Sequence, residues 1–254
     1  GQGAQTCGMG KDFYEQTETG RKVFDRASDL LGFSVPELCF EPNDRLDITE
    51  YTQAAMVTTS IAMMKVLEER GIHPDVAAGL SLGEYGALIA CGALSRKDAF
   101  ALVRKRGIYM QEAVPEGGAM AAVLALDTAQ IEEACKKTEG IVSIANYNCP
   151  GQIVITGEEK AVAAAGELCK EAGAKRVVPL KVSGPFHSAM LKGAGEKLGE
   201  ELKHVTVHTP AIPYVANVTA DYVTKEEDIK NIQKTLDLLD EDDDVQDVYH
   251  NWNE

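Results

Sequence analysis

A serine between two glycines, directly after a short apolar run, is the feature that most constrains how this chain folds. The apolar residues 76–78 lead into the heptapeptide GLSLGEY at positions 79–85. A strand that turns sharply into a helix holds the serine in a strained conformation, and the flanking glycines relieve the crowding on both sides. The pattern predicts a nucleophile elbow that exposes Ser81 at the carboxyl end of a sheet. The alternative is a chance match in a glycine-rich loop.

Two backbone N–H groups are candidates for stabilising an acyl oxyanion beside this serine. Leu82 directly follows the serine, and the helix after it adds the positive end of its dipole. Gln2 lies between glycines in GQGAQ at positions 1–5, and these glycines permit close approach of the backbone. By itself the second motif is weak evidence.

A serine hydroxyl needs a neighbouring base at neutral pH, and the chain has five histidines. His187 follows a rigid Gly-Pro turn in SGPFHS at positions 183–188, so its imidazole can be aimed from a fixed backbone. A histidine after such a turn is more often a packing residue than a catalyst. Its pairing with an elbow serine favours His187 as the base.

Arg106 ends the basic triplet RKR at positions 104–106 and has apolar neighbours on the following turn. Most charge runs are solvated surface patches, and that is the alternative here. A planar guanidinium among apolar residues is suited to gripping a carboxylate. Together with the serine, it predicts an acyl group that carries a free carboxylate.

Composition narrows the possible partners. The 254 residues carry a formal net charge of −15, which disfavours binding to nucleic acid or anionic membranes. There is no apolar run of membrane-spanning length, so we expect a soluble, cytoplasmic protein. The six cysteines are scattered singly, so we expect reduced thiols and no metal site.

The order of elements predicts an α/β fold. A long helix over residues 49–70 precedes the elbow strand, and Ser95 is a plausible cap for the next helix. After the break at residues 115–118, strands over 120–124, 152–156 and 177–180 alternate with helices in a strand–helix–strand–strand–helix–strand run. We expect an α/β-hydrolase-like parallel sheet core, residues 1–116 and 182–230, with a ferredoxin-like α+β subdomain inserted at 117–181.

These motifs together resemble the malonyl-CoA:acyl carrier protein transacylases of fatty acid synthesis and the acyltransferase domains of polyketide synthases. Further matching segments are YTQ at 51–53, GAMAAV at 118–123, ANYN at 145–148 and NVTA at 217–220. The resemblance covers residues 1 to about 230, in order. It implies that Ser81 is acylated, His187 is the base, Arg106 holds the malonyl carboxylate, and Gln2 and Leu82 supply oxyanion N–H groups.

The same resemblance implies that Gln53 lines the pocket and that Phe186 excludes an α-methyl branch. It also implies a ping-pong cycle with malonyl-CoA as donor, the phosphopantetheine thiol of acyl carrier protein as acceptor, and no permanently bound cofactor. Basic groups would dock the acidic carrier protein. The candidates for this docking are Lys105, Lys175, Arg176 and Lys181.

Three departures from the family pattern are visible. Leu80 stands where many relatives have histidine, the chain begins at the GQG turn without a preceding apolar strand, and the family's closing region is replaced. The acidic tail, residues 231–254, resembles the extreme C-terminus of YebC-type regulators, which implies a fusion or a misjoined frame. The functional alternatives are a serine hydrolase or thioesterase with the same Ser-His dyad, and a catalytically impaired fragment.

Overall fold

The structure is a computed structural model that describes residues 2–180, 182 and 184–223. The predictions for Lys181 and for the tail, residues 231–254, lie outside the described residues. The described helices are α1 Lys11–Gln16, α2 Glu18–Leu31, α3 Val35–Phe40, α4 Thr49–Glu69, α5 Gly83–Ala90, α6 Arg96–Ala113, α7 Thr128–Lys137, α8 Glu159–Glu171 and α9 Lys192–Leu202. The described strands are β1 Ala77–Ala78, β2 Gly118–Leu124, β3 Val142–Cys149, β4 Gln152–Glu158, β5 Arg176–Pro179, β6 Tyr214–Val215 and β7 Tyr222–Val223.

The described strands form two sheets, which confirms a mixed α/β fold. In the first sheet, in the order β1-β6-β7, β1 pairs in parallel with β6 and β6 pairs antiparallel with β7. The second sheet is antiparallel and has the order β3-β4-β2-β5. The parallel pairing within the described residues is limited to β1 and β6, which is less than the predicted parallel core.

Helices account for most of the core around the first sheet. The long α4 packs against α2 and α6, and its predicted end is nearly correct, since Arg70 is the C-cap and Gly71 has a φ of 78°. Ser95 caps α6 as predicted, because its side chain accepts a hydrogen bond from the Asp98 N–H. The buried cluster between these elements includes Phe24, Ile61, Leu88, Leu102 and Tyr214.

The second sheet carries α7 and α8 on one face. The three strands predicted from apolar runs are confirmed as β2, β4 and β5, with ends that differ by at most two residues. The remaining strand, β3, mixes apolar with polar residues and has no fully buried residue, so it gives no continuous apolar run in the sequence. Val123, Ile131, Ile155, Val162 and Cys169 form the buried cluster between this sheet and its helices.

A third buried cluster joins the two parts of the molecule. It combines Met110 of α6 with Met120 of β2, Val154 of β4 and Phe186, which directly precedes His187. The contact is close, because a Cβ on Gly118 at the start of β2 would lie 2.2 Å from Pro185 Cδ. The second sheet therefore supports the turn that carries His187.

Among the described helices, none is both long and apolar enough to cross a bilayer. All six cysteines are free, and Cys39, Cys91, Cys135 and Cys169 are buried.

Candidate active site

The elbow forms where β1 ends and α5 begins. Ser81 has a φ of 50°, a left-handed conformation that a residue with a side chain rarely adopts. A Cβ on Gly79 would lie 2.1 Å from the Gly83 carbonyl oxygen, so the close approach of the two arms requires glycine there. At Gly83 a Cβ would meet no described atom within 4 Å apart from its chain neighbours and the backbone of its own helix. The prediction that glycine relieves crowding on both sides of the serine is therefore wrong for Gly83.

His187 reaches this serine from a distant part of the chain. Its Nε2 lies 2.9 Å from Ser81 Oγ, within hydrogen-bond distance. His187 also has a left-handed φ, 57°, and Ser188 caps the 3-10 helix that follows, Ala189–Leu191. Two of the four non-glycine residues with positive φ in the described part of the chain are thus the members of this pair.

Arg106 of α6 brings a buried guanidinium to the same place. Only 2% of the residue is exposed, and its Nη2 lies 3.4 Å from Ser81 Oγ. Its Nη1 donates a hydrogen bond of 2.9 Å to Gln53 Oε1, which fixes the guanidinium plane. The alternative of a solvated basic patch is therefore wrong for Arg106.

The side-chain amides of Gln53 and Gln2 extend the hydrogen bonding of the Arg106 guanidinium. Gln53 is fully buried, and its Nε2 donates to Gln2 Oε1 at 3.2 Å and contacts Met110 Sδ at 3.2 Å. The Gln2 amide in turn donates to Thr49 Oγ1 at 3.1 Å. Because both side-chain amides are engaged, their orientations are fixed and Gln2 is held beside Gln53. The pocket role of Gln53 and the oxyanion role of the Gln2 backbone N–H stay predictions.

Hydrogen bonds engage three of the backbone N–H groups of the elbow. The Gly83 N–H donates to the Leu80 carbonyl and the Glu84 N–H donates to the Ser81 carbonyl. The Ser81 N–H is used by a side chain, Asn217 Oδ1, at 2.8 Å. Among the described residues the N–H groups of Leu80 and Leu82 make no such bond, and the Leu82 N–H, next to the start of α5, stays the predicted oxyanion donor.

The other predicted residues differ in their exposure to solvent. Phe186 is 7% exposed and packs in the third cluster, whereas Leu80 is 57% exposed. Lys105 forms an ion pair with Glu201, which also accepts a hydrogen bond from the Tyr109 hydroxyl. Lys175 lies in the loop before β5 and Arg176 is the first residue of that strand. The docking roles of these basic residues stay predictions.

Two residues of the site were not predicted from the sequence. Asn217 accepts the Ser81 N–H, and Glu84 of α5 accepts the Asn217 N–H through Oε1 at 2.9 Å. Glu84 is fully buried, and this burial raises the pKa of its carboxyl to about 7 against the opposing effects of the Asn217 hydrogen bond and Arg106. Both residues lie in quoted motifs, GLSLGEY and NVTA, but nothing in either motif indicates that they meet.

Comparison with curated proteins finds close relatives of this chain. It is 50% identical over 244 residues to the malonyl CoA-acyl carrier protein transacylase of Bacillus subtilis (strain 168), covering 94% of this chain and 76% of that protein.

Solved structures share the fold as well as the sequence. The crystal structure of MCAT from Streptococcus pneumoniae superposes with a TM-score of 0.87 at 48% identity, covering 94% of this chain and 78% of that one. A malonyl-transacylase in complex with a type II PKS acyl-carrier protein superposes with a TM-score of 0.90 at 41% identity, with the same coverages. Residues 1–236 match the family described as Acyl transferase domain. The chain belongs to the acyl transferase domain family.

Proposed function

We propose that this protein transfers a malonyl group from malonyl-CoA to the phosphopantetheine thiol of acyl carrier protein. The observation that carries the proposal is the meeting of three groups: Ser81 Oγ lies 2.9 Å from His187 Nε2 and 3.4 Å from Arg106 Nη2. A nucleophile, a base and a fixed cation within reach of one small acyl group suit a substrate with a free carboxylate. The malonyl transacylases among its relatives support the same choice of substrate and acceptor.

In the first half of the reaction, Ser81 Oγ attacks the thioester carbonyl of malonyl-CoA. His187 Nε2 accepts the hydroxyl proton, which requires the neutral imidazole to carry its own proton on Nδ1. The carbonyl oxygen becomes an oxyanion, which the N–H groups of Leu82 and Gln2 stabilise. When the C–S bond breaks, His187 returns the proton to the leaving sulfur, so CoA departs as a thiol and a malonyl-serine ester remains.

The second half repeats these steps with another thiol. The phosphopantetheine thiol attacks the ester carbonyl while His187 accepts its proton, and Ser81 regains that proton when the C–O bond breaks. The carrier protein is acidic, so Lys175 and Arg176, which are both exposed, would guide it to the pocket together with Lys181. Lys105 would contribute from its ion pair with Glu201.

Selection of the acyl group would depend on two features of the pocket. Arg106, held by Gln53, would bind the malonyl carboxylate through its planar fork, so neutral acyl groups would bind less well. Phe186 would leave little room for an α-methyl branch, which disfavours methylmalonyl groups. These contacts require no bound cofactor, and the cytoplasmic location stays a prediction from the sequence.

The finer fold assignment is also proposed. The strand order β3-β4-β2-β5 with two helices on one face is typical of a ferredoxin-like unit, which supports a subdomain at residues 117–181. The elbow after β1, which is parallel to β6, supports an α/β-hydrolase-like core at 1–116 and 182–230.

The family match ends at residue 236, which supports a foreign origin of the acidic tail. The intact mass of the protein from its native locus tests that origin, since a family-type ending there would contradict it.

Labelled malonyl-CoA tests the proposed function. We expect the malonyl group on Ser81 by intact mass and peptide mapping, followed by transfer of the label to acyl carrier protein. A hydrolase would release malonate to water whether or not carrier protein is present. A folded protein that acquires no label would contradict the proposal.

Arg106→Ala separates the malonyl transferase from a hydrolase of neutral esters. Removal of the guanidinium should lower malonyl loading by about a hundredfold, because a charge-assisted bidentate pair contributes about 3 kcal/mol. Loading from acetyl-CoA should be unchanged or faster. Lys97→Ala, at the start of the same helix and away from the site, is the matched control. Equal losses with both donors would contradict a carboxylate-binding role.

A further inference from the structure

The Ser81 backbone is held by a hydrogen-bonded pair of residues that the reaction described above does not use. Asn217 Oδ1 accepts the Ser81 N–H at 2.8 Å, and Glu84 Oε1 accepts the Asn217 N–H at 2.9 Å. Glu84 lies three residues after Ser81, whereas Asn217 comes from the distant loop between β6 and β7. Both bonds go to Asn217, so the elbow and the first turn of α5 are tied to the loop after β6.

Parallel pairing explains why Asn217 reaches the elbow. Strand β1 ends at Ala78 and is paired in parallel with β6, which ends at Val215. The segments that follow the two strands therefore leave the sheet at the same edge. The loop after β6 is closed by a hydrogen bond of 3.0 Å from the Ala216 N–H to the Asp221 carbonyl. Asn217 is therefore presented by a short, closed hairpin and not by a long loop.

The contact counters the strain of the elbow. A serine with a φ of 50° returns to an ordinary conformation unless surrounding contacts over-determine it. The bond from the Ser81 N–H to Asn217 is made in this conformation. Full burial of Glu84 excludes the water that would otherwise compete for the Asn217 N–H.

We propose that Asn217 and Glu84 are positioning residues: Asn217 holds the Ser81 backbone in its reactive conformation, and Glu84 holds Asn217. The proposal rests on Ser81 being the nucleophile, but it does not depend on which acyl group Ser81 accepts. Neither residue is among those that would bind the acyl group. Their loss should therefore slow attack by Ser81 without weakening binding of the acyl donor.

A neutral fluorophosphonate tests this proposal, because it reacts with an activated serine without using malonyl-CoA or Arg106. The rate of Ser81 labelling would be followed by intact mass in the full chain. Removing the acceptor with Asn217→Ala should slow labelling by about tenfold, which is the upper end of one hydrogen bond. Malonyl-CoA turnover should show the same loss in kcat with KM within about twofold, since no substrate contact is removed.

Conservative variants and a control in the same hairpin distinguish positioning from general damage. Asn217→Asp retains the acceptor and should recover most of the labelling rate, as should Glu84→Gln, whereas Glu84→Ala should not. Thr219→Ala removes the acceptor of the Asp221 N–H, 3.3 Å away in the same loop, and should label at the wild-type rate. Melting curves establish that each variant is folded at the assay temperature.

Two results would overturn the proposal. One is a folded Asn217→Ala protein that labels as fast as the wild type, and the other is Glu84→Gln labelling as slowly as Glu84→Ala. If Asn217→Ala does not fold, the Glu84 pair decides the question by itself. A wild-type protein that reacts normally with fluorophosphonate but fails to transfer malonyl groups would refute the proposed function and leave this inference standing.

Discussion

Among individual residues, Glu84 has an environment that should make folding depend on pH. Its carboxyl is fully buried, Oε1 accepts the Asn217 N–H, and Oε2 has no hydrogen-bond partner among the described residues. Burial raises its pKa from 4.5 to about 7. Over this range the unfolded chain has released the proton while the folded chain retains it, so the contribution of Glu84 to stability falls as pH rises and levels off above about pH 7.

Replacement of this carboxyl by an amide should remove the contribution of Glu84 to the pH dependence of stability. The rise in pKa corresponds to about 3 kcal/mol of differential stability between the protonated and ionised forms. The free energy of unfolding of Glu84→Gln, minus that of the wild type, should therefore increase between pH 5 and pH 7.5. Urea unfolding at several pH values measures the difference. A difference that stays constant over this range would contradict the buried, protonated carboxyl.

At the scale of elements, the turn from β1 into α5 gives opposite expectations for its two glycines. A Cβ on Gly79 would overlap the Gly83 carbonyl oxygen, and the neighbouring backbone cannot move without opening the elbow. A Cβ on Gly83 meets no described atom within 4 Å apart from its chain neighbours and its own helix backbone, and alanine is the better helix former by about 1 kcal/mol.

Alanine at each position, one at a time, tests this difference. Gly79→Ala should lose about 3 kcal/mol or more of stability, in the range of backbone strain and overpacking combined. Gly83→Ala should melt at or above the wild-type temperature. Each variant is the control for the other, because they lie four residues apart in one turn. Similar melting temperatures for the two would show that the crowding at Gly79 is relieved at little cost.

The same elements show how far the sequence could predict the site. The elbow, the Ser95 cap and strands β2, β4 and β5 are local patterns, and they were confirmed to within a few residues. The hydrogen bonds of Asn217 with Ser81 and Glu84 span 136 and 133 positions. They depend on the register of β1 against β6, strands of two residues whose pairing no short-range pattern specifies.

At the scale of the whole molecule, the second sheet packs directly against the residue that precedes His187. The third cluster places Val154 of β4 and Met120 of β2 with Phe186, the residue before His187. Packing in protein interiors is dense, so a change in this cluster is transmitted to the side chains that share it. The small sheet should therefore affect acyl selection although it contributes no residue to the Ser81–His187 pair.

Two buried valines of the second sheet unit separate this effect from a simple loss of stability. Val154 is 2% exposed and lies in the cluster with Phe186, whereas Val162 is 4% exposed and packs between the sheet and its helices. Truncation to alanine should cost each protein about 2 kcal/mol of stability. Val154→Ala alone should also give Phe186 room to move, and so raise the ratio of methylmalonyl to malonyl loading several-fold. Competition between the two CoA esters, read by intact mass, measures that ratio. Equal ratios in the two variants would mean that the second sheet supports the fold without shaping the pocket.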